Sequence, residues 1–381
     1  MQAISDFLEP TCGGPTAWWA AKIAKKYQFV VSIGYPEITT DPEAVPDDIL
    51  LGETSTLEEA VVKAKTYVDD IKSALDTGSE YWTFNSTLTI GSDGKVLAHY
   101  RKTHLYYSDV VWSSPSMHGF SMVSIPFPMQ GPINTSFAIC MDLNPKAFTA
   151  EWDKYEVAQH LLSSQSALLV VSTAWLTNED AVEANEISPC CPEDWARVPD
   201  MESLMYWRER LTPLVQHKEK TIVVIANRIG NEEGAVKAYD LDNLVKPTFG
   251  STNNLAAGRK IDTDRTDQPD EGNQYTVLGP QSDTSPINDR MAQFTEESSP
   301  GIATNAAHYS GSSAIMVFGN GKIDVYGNLG RGIQGVLVGD TNNTPVMSSR
   351  YPSRTATAAA AAAAAAENEE GEGGKEMGKD N

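Results

Sequence analysis

Two short runs near the middle of the chain, Ala167-Leu-Leu-Val-Val-Ser172 and Thr221-Ile-Val-Val-Ile-Ala226, have apolar interiors with no alternating polar positions. A strand with one wet face alternates, so runs of this kind need cover on both faces. Residues 201–217 between them carry a helical pattern, and the same order occurs upstream, where a helix at 15–27 leads into the apolar run 29–33. In that first helix Trp18, Trp19, Ile23 and Ala24 fall at helical spacing, with Lys22, Lys25 and Lys26 opposite. A second, more charged helix starts at Ser55 with Thr56-Leu-Glu-Glu59, runs to Leu75 and ends by Gly78; its charge predicts a peripheral position. Two hairpins complete the pattern, one from 85–90 and 95–100 about Gly91-Ser-Asp-Gly94, the other from 312–318 and 322–326 about Gly319-Asn-Gly321. A last strand is expected at 335–338. Helices alternating with doubly covered strands define an α/β fold.

With 381 residues, 41% of them hydrophobic, the chain can bury a full core, and the length allows one domain with insertions as easily as two; a single domain over 1–338 is expected. Periodicity stops from about 239 to 305, where Ser, Thr, Asp, Asn, Gly and Pro dominate, which predicts a disordered insertion. Residues 339–381 read as a low-complexity tail of alanines and then a Glu/Gly run, because an alanine helix with nothing to pack against is marginal in water.

The formal charge of −22 argues against nucleic acid or an anionic membrane as partner, since both require clustered Lys and Arg. Part of that charge is local, in the acidic stretches 262–297 and 367–380. The four cysteines, Cys12, Cys140, Cys190 and Cys191, match neither a disulfide framework nor a CxxC metal site. The six histidines show no ligand spacing beyond the weak pair His99 and His104, so neither metal nor other cofactor is expected. The N-terminus carries no basic and apolar leader pattern and no apolar run is long enough to span a bilayer, so a reduced cytoplasmic protein is the default, with mitochondrial or nuclear pools left open.

Against this background one segment carries chemistry. Ser136-Phe-Ala-Ile-Cys140-Met-Asp-Leu-Asn144-Pro brings a cysteine to the end of an apolar run, at a turn marked by Asp142, Asn144 and Pro145. Cys140 is there either as a small buried hydrophobe or as a nucleophile. Upstream, the outgoing strand of the first hairpin leads directly into Tyr100-Arg-Lys102-Thr. A thiol attacks an amide only as thiolate, which needs a base or a cation beside it, and Lys102 can supply the cation.

A cysteine and a lysine, each at a strand end, resemble the arrangement of the carbon–nitrogen hydrolase (nitrilase) superfamily. Within it the chain is most similar to the fungal protein N-terminal asparagine/glutamine amidohydrolases. The resemblance rests on Gly34-Tyr-Pro-Glu37, Tyr100-Arg-Lys102-Thr, Ile139-Cys140-Met-Asp-Leu-Asn-Pro145, Ala174-Trp-Leu176, Ala226-Asn-Arg-Ile-Gly-Asn-Glu-Glu-Gly234, Tyr309-Ser-Gly-Ser-Ser313 and Tyr326-Gly-Asn-Leu-Gly330. These blocks run in the family's order over residues 9 to 338. The resemblance implies an α-β-β-α sandwich that pairs into a homodimer. It also implies deamidation of N-terminal Asn or Gln on proteins or peptides to Asp or Glu through a Cys140 thioester, in the N-degron degradation route. Lys102 and the backbone N–H of Met141 would face the oxyanion, and Asp109, Trp112, Asp142 and Trp175 are candidates for holding the substrate's α-ammonium. Hydrolysis of small free amides or nitriles uses the same residues and stands as the alternative.

Two departures from the family pattern are visible. The strand bearing the family's catalytic glutamate, and the first sheet strand, are expected to be absent from this chain, since the segment Phe7-Leu-Glu-Pro10 that follows them lies so near residue 1. Glu9 and Glu37 are the nearest acids, at positions that do not act as base in the family. Either the polypeptide starts further upstream, which the intact blocks favour, or the chain is an inactive remnant that only binds partners. Asp109-Val-Val-Trp112 also places Val110 where family members commonly carry a second carboxylate.

Overall fold

The computed structural model describes residues 4, 6–43, 45–46, 54, 56–74, 80–128, 130–177, 196–232 and 307–351. The expected insertion at 239–305, the Cys190-Cys191 pair and the alanine run lie outside the described residues.

Strand β1 (Glu9–Pro10) runs into helix α1 (Gly14–Tyr27), which starts with Pro15 in its first turn and ends at Gln28 in a left-handed conformation. Four alanines, Ala17, Ala20, Ala21 and Ala24, form its buried stripe, while Trp19 is exposed. Of the expected apolar positions Ala24 is buried and Ile23 packs against the same core, whereas Trp19 faces outward; small side chains let α1 lie close on the sheet, and Trp18 sits at the margin with its indole N–H on Thr54 O at 2.9 Å. Strand β2 (Val31–Thr39) follows, then the peripheral helix α2 (Leu57–Ala74), and the hairpin β3 (Trp82–Ile90) and β4 (Val96–Arg101). These strands form one sheet in the order β1-β2-β3-β4.

After the single turn α3 (Tyr107–Val110) come β5 (Met122–Phe127), β6 (Gly131–Ile139), helix α4 (Glu156–Ser163), β7 (Leu168–Thr173), helix α5 (Met201–Arg210) and β8 (Thr221–Asn227). The doubly apolar runs are indeed the central strands: β6, β7 and β8 are mutually parallel, as crossover helices require. A small ribbon joins β9 (Asn231–Glu232) to β10 (Ala307–His308), and the second hairpin is β11 (Ala314–Gly319) with β12 (Lys322–Asn328). The second sheet closes with β13 (Met347–Arg350), in the order β13-β12-β11-β8-β7-β6-β5. The strand expected at 335–338 does not form; Val336 and Val338 are exposed.

The two sheets stack face to face, with Thr87 Oγ1 of β3 hydrogen-bonded to Ser172 Oγ of β7 at 3.1 Å. Helices α1 and α2 cover the outside of the first sheet, and α4 and α5 cover the second around Trp207, Leu161, Leu211 and Val223. The result is the expected α-β-β-α sandwich.

Candidate active site

The parallel strands β6, β7 and β8 all point the same way, so their carboxyl ends share one rim, where α/β sheets hold ligands. Cys140 follows β6, Trp175 lies just beyond β7, and Asn227 ends β8. Cys140 has φ +46° and begins a tight 3-10 turn, Cys140–Leu143. Such a backbone costs a non-glycine residue on the order of 1–3 kcal/mol and persists only where the surroundings impose it. It turns the chain abruptly out of the strand and leaves the side chain half-buried.

Lys102 enters from the opposite sheet. Its backbone N–H bonds Asn85 O at 2.8 Å as β4 ends, and its ammonium, 2% exposed, meets Asp109 Oδ2 at 2.5 Å. Asp109 is fixed in turn: Asn85 Nδ2 donates to Oδ1 at 3.1 Å and the Tyr106 N–H to Oδ2 at 2.9 Å. Burial alone would push the Lys102 pKa down, but the negative charge of a Cys140 thiolate and of the Asp109 and Asp142 carboxylates outweighs it and holds it above its usual value. The site therefore contains a permanent, oriented cation within electrostatic reach of the sulfur.

Asp142, named above among the candidates for holding substrate, lies in the 3-10 turn that begins at Cys140. It is 1% exposed and its oxygens accept from Tyr100 OH at 2.8 Å, from the N–H groups of Thr103 and His104 at 3.1 and 2.7 Å, and from Ile139 N–H at 2.7 Å. It is a clasp between the Lys102 strand end and the Cys140 strand end. Asp109 likewise faces Lys102. Met141 is buried, in the turn directly after Cys140. The Trp112 carbonyl accepts from the Thr83 hydroxyl, which ties the segment after α3 to β3.

Trp175 packs its ring on Tyr206 and Trp207, at centroid distances of 5.3 and 5.9 Å, and its backbone N–H donates to Asn227 Oδ1 at 2.7 Å. Asn227 Nδ2 reaches on to Ser310 Oγ and Gly311 O. Sequence reading missed this tie, although Asn227 stands in a quoted block.

Neither nearby glutamate reaches the sulfur. Glu9 caps α1, accepting from the Thr16 N–H and hydroxyl at 3.0 and 2.6 Å. Glu37 lies on the helix-covered face of the first sheet, held by Arg101 at 2.5 and 3.0 Å, whereas Lys102 follows Arg101 and points the other way. Among the described residues no cluster of three or more metal-ligating side chains occurs.

No protein-family model matches the chain. It is 35% identical over 244 residues to a protein N-terminal amidase of Schizosaccharomyces pombe, a match covering 61% of this chain and 68% of that protein. The chain belongs to the protein N-terminal amidase family. A protein N-terminal amidase of Saccharomyces cerevisiae is 24% identical over 178 residues, covering 43% of this chain and 30% of that one. Crystal structures of N-terminal amidase, with an Asn-Glu-Ala peptide and without it, superpose with a TM-score of 0.50 at 15% identity, covering 87% of this chain and 82% of theirs. Family membership, the nitrilase-type fold and the class of amide carbon–nitrogen hydrolase are as the sequence blocks implied.

Proposed function

We propose that this chain removes ammonia from the side-chain amide of Asn or Gln at the N-terminus of peptides and proteins, leaving Asp or Glu. The observation that carries this reading is Cys140, held on a left-handed strand end beside the buried Lys102–Asp109 pair. The relatives' names and the peptide-bound amidase structure support the substrate class.

The Cys140 sulfur adds to the amide carbon, and the carbonyl oxygen becomes an oxyanion facing the Lys102 ammonium and the Met141 N–H, a contribution of roughly 3 kcal/mol per donor. Collapse expels the amide nitrogen as ammonia, with the thiol's proton, and leaves a thioester. Water then attacks it, releasing the new carboxylate and restoring the thiol. Asp109 keeps Lys102 aimed and charged throughout. The product is an acidic N-terminus of the kind that feeds the N-degron route.

The test is ammonia release from Asn- and Gln-initiated peptides. Cys140→Ala is expected to abolish it while the fold persists; turnover surviving in that variant refutes the assignment.

A further inference from the structure

Beside the reactive pair, two arms of the chain bring aromatic rings together. Tyr106 and Tyr107 stand at the start of α3, downstream of Lys102, and Phe148 stands in the turn downstream of Cys140. Their ring centroids are 5.2 Å apart for Tyr106 and Tyr107, 6.2 Å for Tyr106 and Phe148, and 5.6 Å for Tyr107 and Phe148. The cluster is fastened to the site at both ends. The Tyr106 N–H bonds the same Asp109 oxygen that holds Lys102, and Phe148 N–H bonds Pro145 O at 2.9 Å in the segment that follows the Cys140 turn. Ala147 and Phe148 both have left-handed backbones, φ +54° and +55°, so this turn is held in a conformation that non-glycine residues seldom adopt.

Little of this serves the core. Tyr107 is more than a third exposed and Phe148 is half-buried, while Tyr106 beneath them is close enough to Cys140 to feel its charge. Rigid aromatic rings with wet faces, next to a nucleophile, are a platform for a ligand's apolar part, with large contact area and little rotamer entropy to lose. When the side-chain amide of a terminal Asn or Gln sits at the sulfur, the main chain leads away from it. The second residue's Cα then lies about 3.8 Å beyond the first, which is itself two or three bonds from the amide carbon, and so reaches the rim around the nucleophile.

We infer that Tyr106, Tyr107 and Phe148 form the subsite for the second residue of the peptide substrate and favour an apolar side chain there over glycine. This rests on the proposed deamidation, and the experiment separates the two. Ammonia release is followed with Asn-Leu-Ala and Asn-Gly-Ala peptides, for the unaltered protein, Phe148→Ala and Tyr107→Ala. The unaltered protein is expected to show a kcat/KM about tenfold higher for the leucine peptide, as partial burial of one leucine gives, with the difference in KM. Each variant is expected to bring the ratio towards one. Tyr107 is an exposed position, so its variant decides the matter should Phe148→Ala fail to fold. Turnover of both peptides with a ratio near one in the unaltered protein, or a ratio unchanged in the folded variants, overturns the subsite alone. Release of ammonia from neither peptide overturns the deamidation and the subsite with it.

Discussion

Asp142 shows how little freedom a buried carboxylate in this site retains. Burial raises its pKa above the ordinary 3.8, and the hydrogen bonds from His104, Ile139 and Tyr100, with the Lys102 charge, work against that shift. Its four donors come from both strand ends that carry the reactive groups, so removing the carboxylate should unpin both. Asp142→Ala leaves three backbone N–H groups and one phenol to find new partners, each orphan costing about 1–3 kcal/mol. A loss of roughly 3–5 kcal/mol and a fall in Tm on the order of 10 °C is expected by thermal unfolding. A Tm within a degree or two of the unaltered protein would contradict the clasp. The same residue marks where sequence reading stops. Cys140 and Lys102 stood out as candidates in the sequence because few side chains can serve as nucleophile or as buried cation. The partners of Asp109 and Asp142 were not, because a carboxylate's role depends on which donors the fold turns towards it.

At the scale of elements, the first sheet is stitched on its helix-covered face by Glu37. Its carboxylate accepts from Thr11 Oγ1, Ser86 Oγ and the Arg101 guanidinium, with His99 Nε2 at 3.2 Å, so β2, β3, β4 and the segment after β1 converge on one group. Burial opposes the charge, but the His99 and Arg101 partners prevail and hold the Glu37 pKa far below its ordinary 4.5. A depressed carboxylate pKa means that the unfolded chain binds the proton first as pH falls. Glu37 therefore stabilises fully above pH 4.5, and that contribution drains away below it. Urea unfolding at pH 7, 5, 4 and 3.5 should show stability falling steeply at the acid end, with a shallower fall in Glu37→Gln; equal slopes for the two proteins would count against the network.

The strands themselves were largely legible, because two-sided burial writes a continuous apolar run. Strands at the edges escape it: β1, β5, β9 and β10 have no such run, and the last strand forms elsewhere than expected. Residues 335–338 carry the apolar residues, yet the edge strand is Met-Ser-Ser-Arg at Met347–Arg350, paired to β12 through Lys322↔Arg350 and its neighbours. An edge strand is selected by backbone pairing and needs no apolar signal, so periodicity passes over it.

At the scale of the molecule, the site is a seam: the first sheet contributes Lys102, the second Cys140, and stacking alone makes them neighbours. No local pattern encodes that meeting; it follows only from the order of the blocks along the whole chain. The whole chain also sets the field around the seam. Its net charge of −22 attracts cations over distances that depend on salt, about 10 Å at 0.1 M and 3 Å at 1 M. A peptide with a free α-ammonium and a lysine beyond the second residue is drawn in, and one with a glutamate there is repelled. For Asn-Gly-Lys against Asn-Gly-Glu, kcat/KM should favour the lysine peptide several-fold to about tenfold at low ionic strength. The preference should reside in kcat/KM with kcat nearly equal, since steering acts on encounter and leaves the bound amide where Cys140 meets it. Raising the salt to 1 M should bring the two peptides together. If the preference persists undiminished at 1 M, it comes from a specific contact at the third residue, and the field of the acidic chain plays no part in choosing substrates.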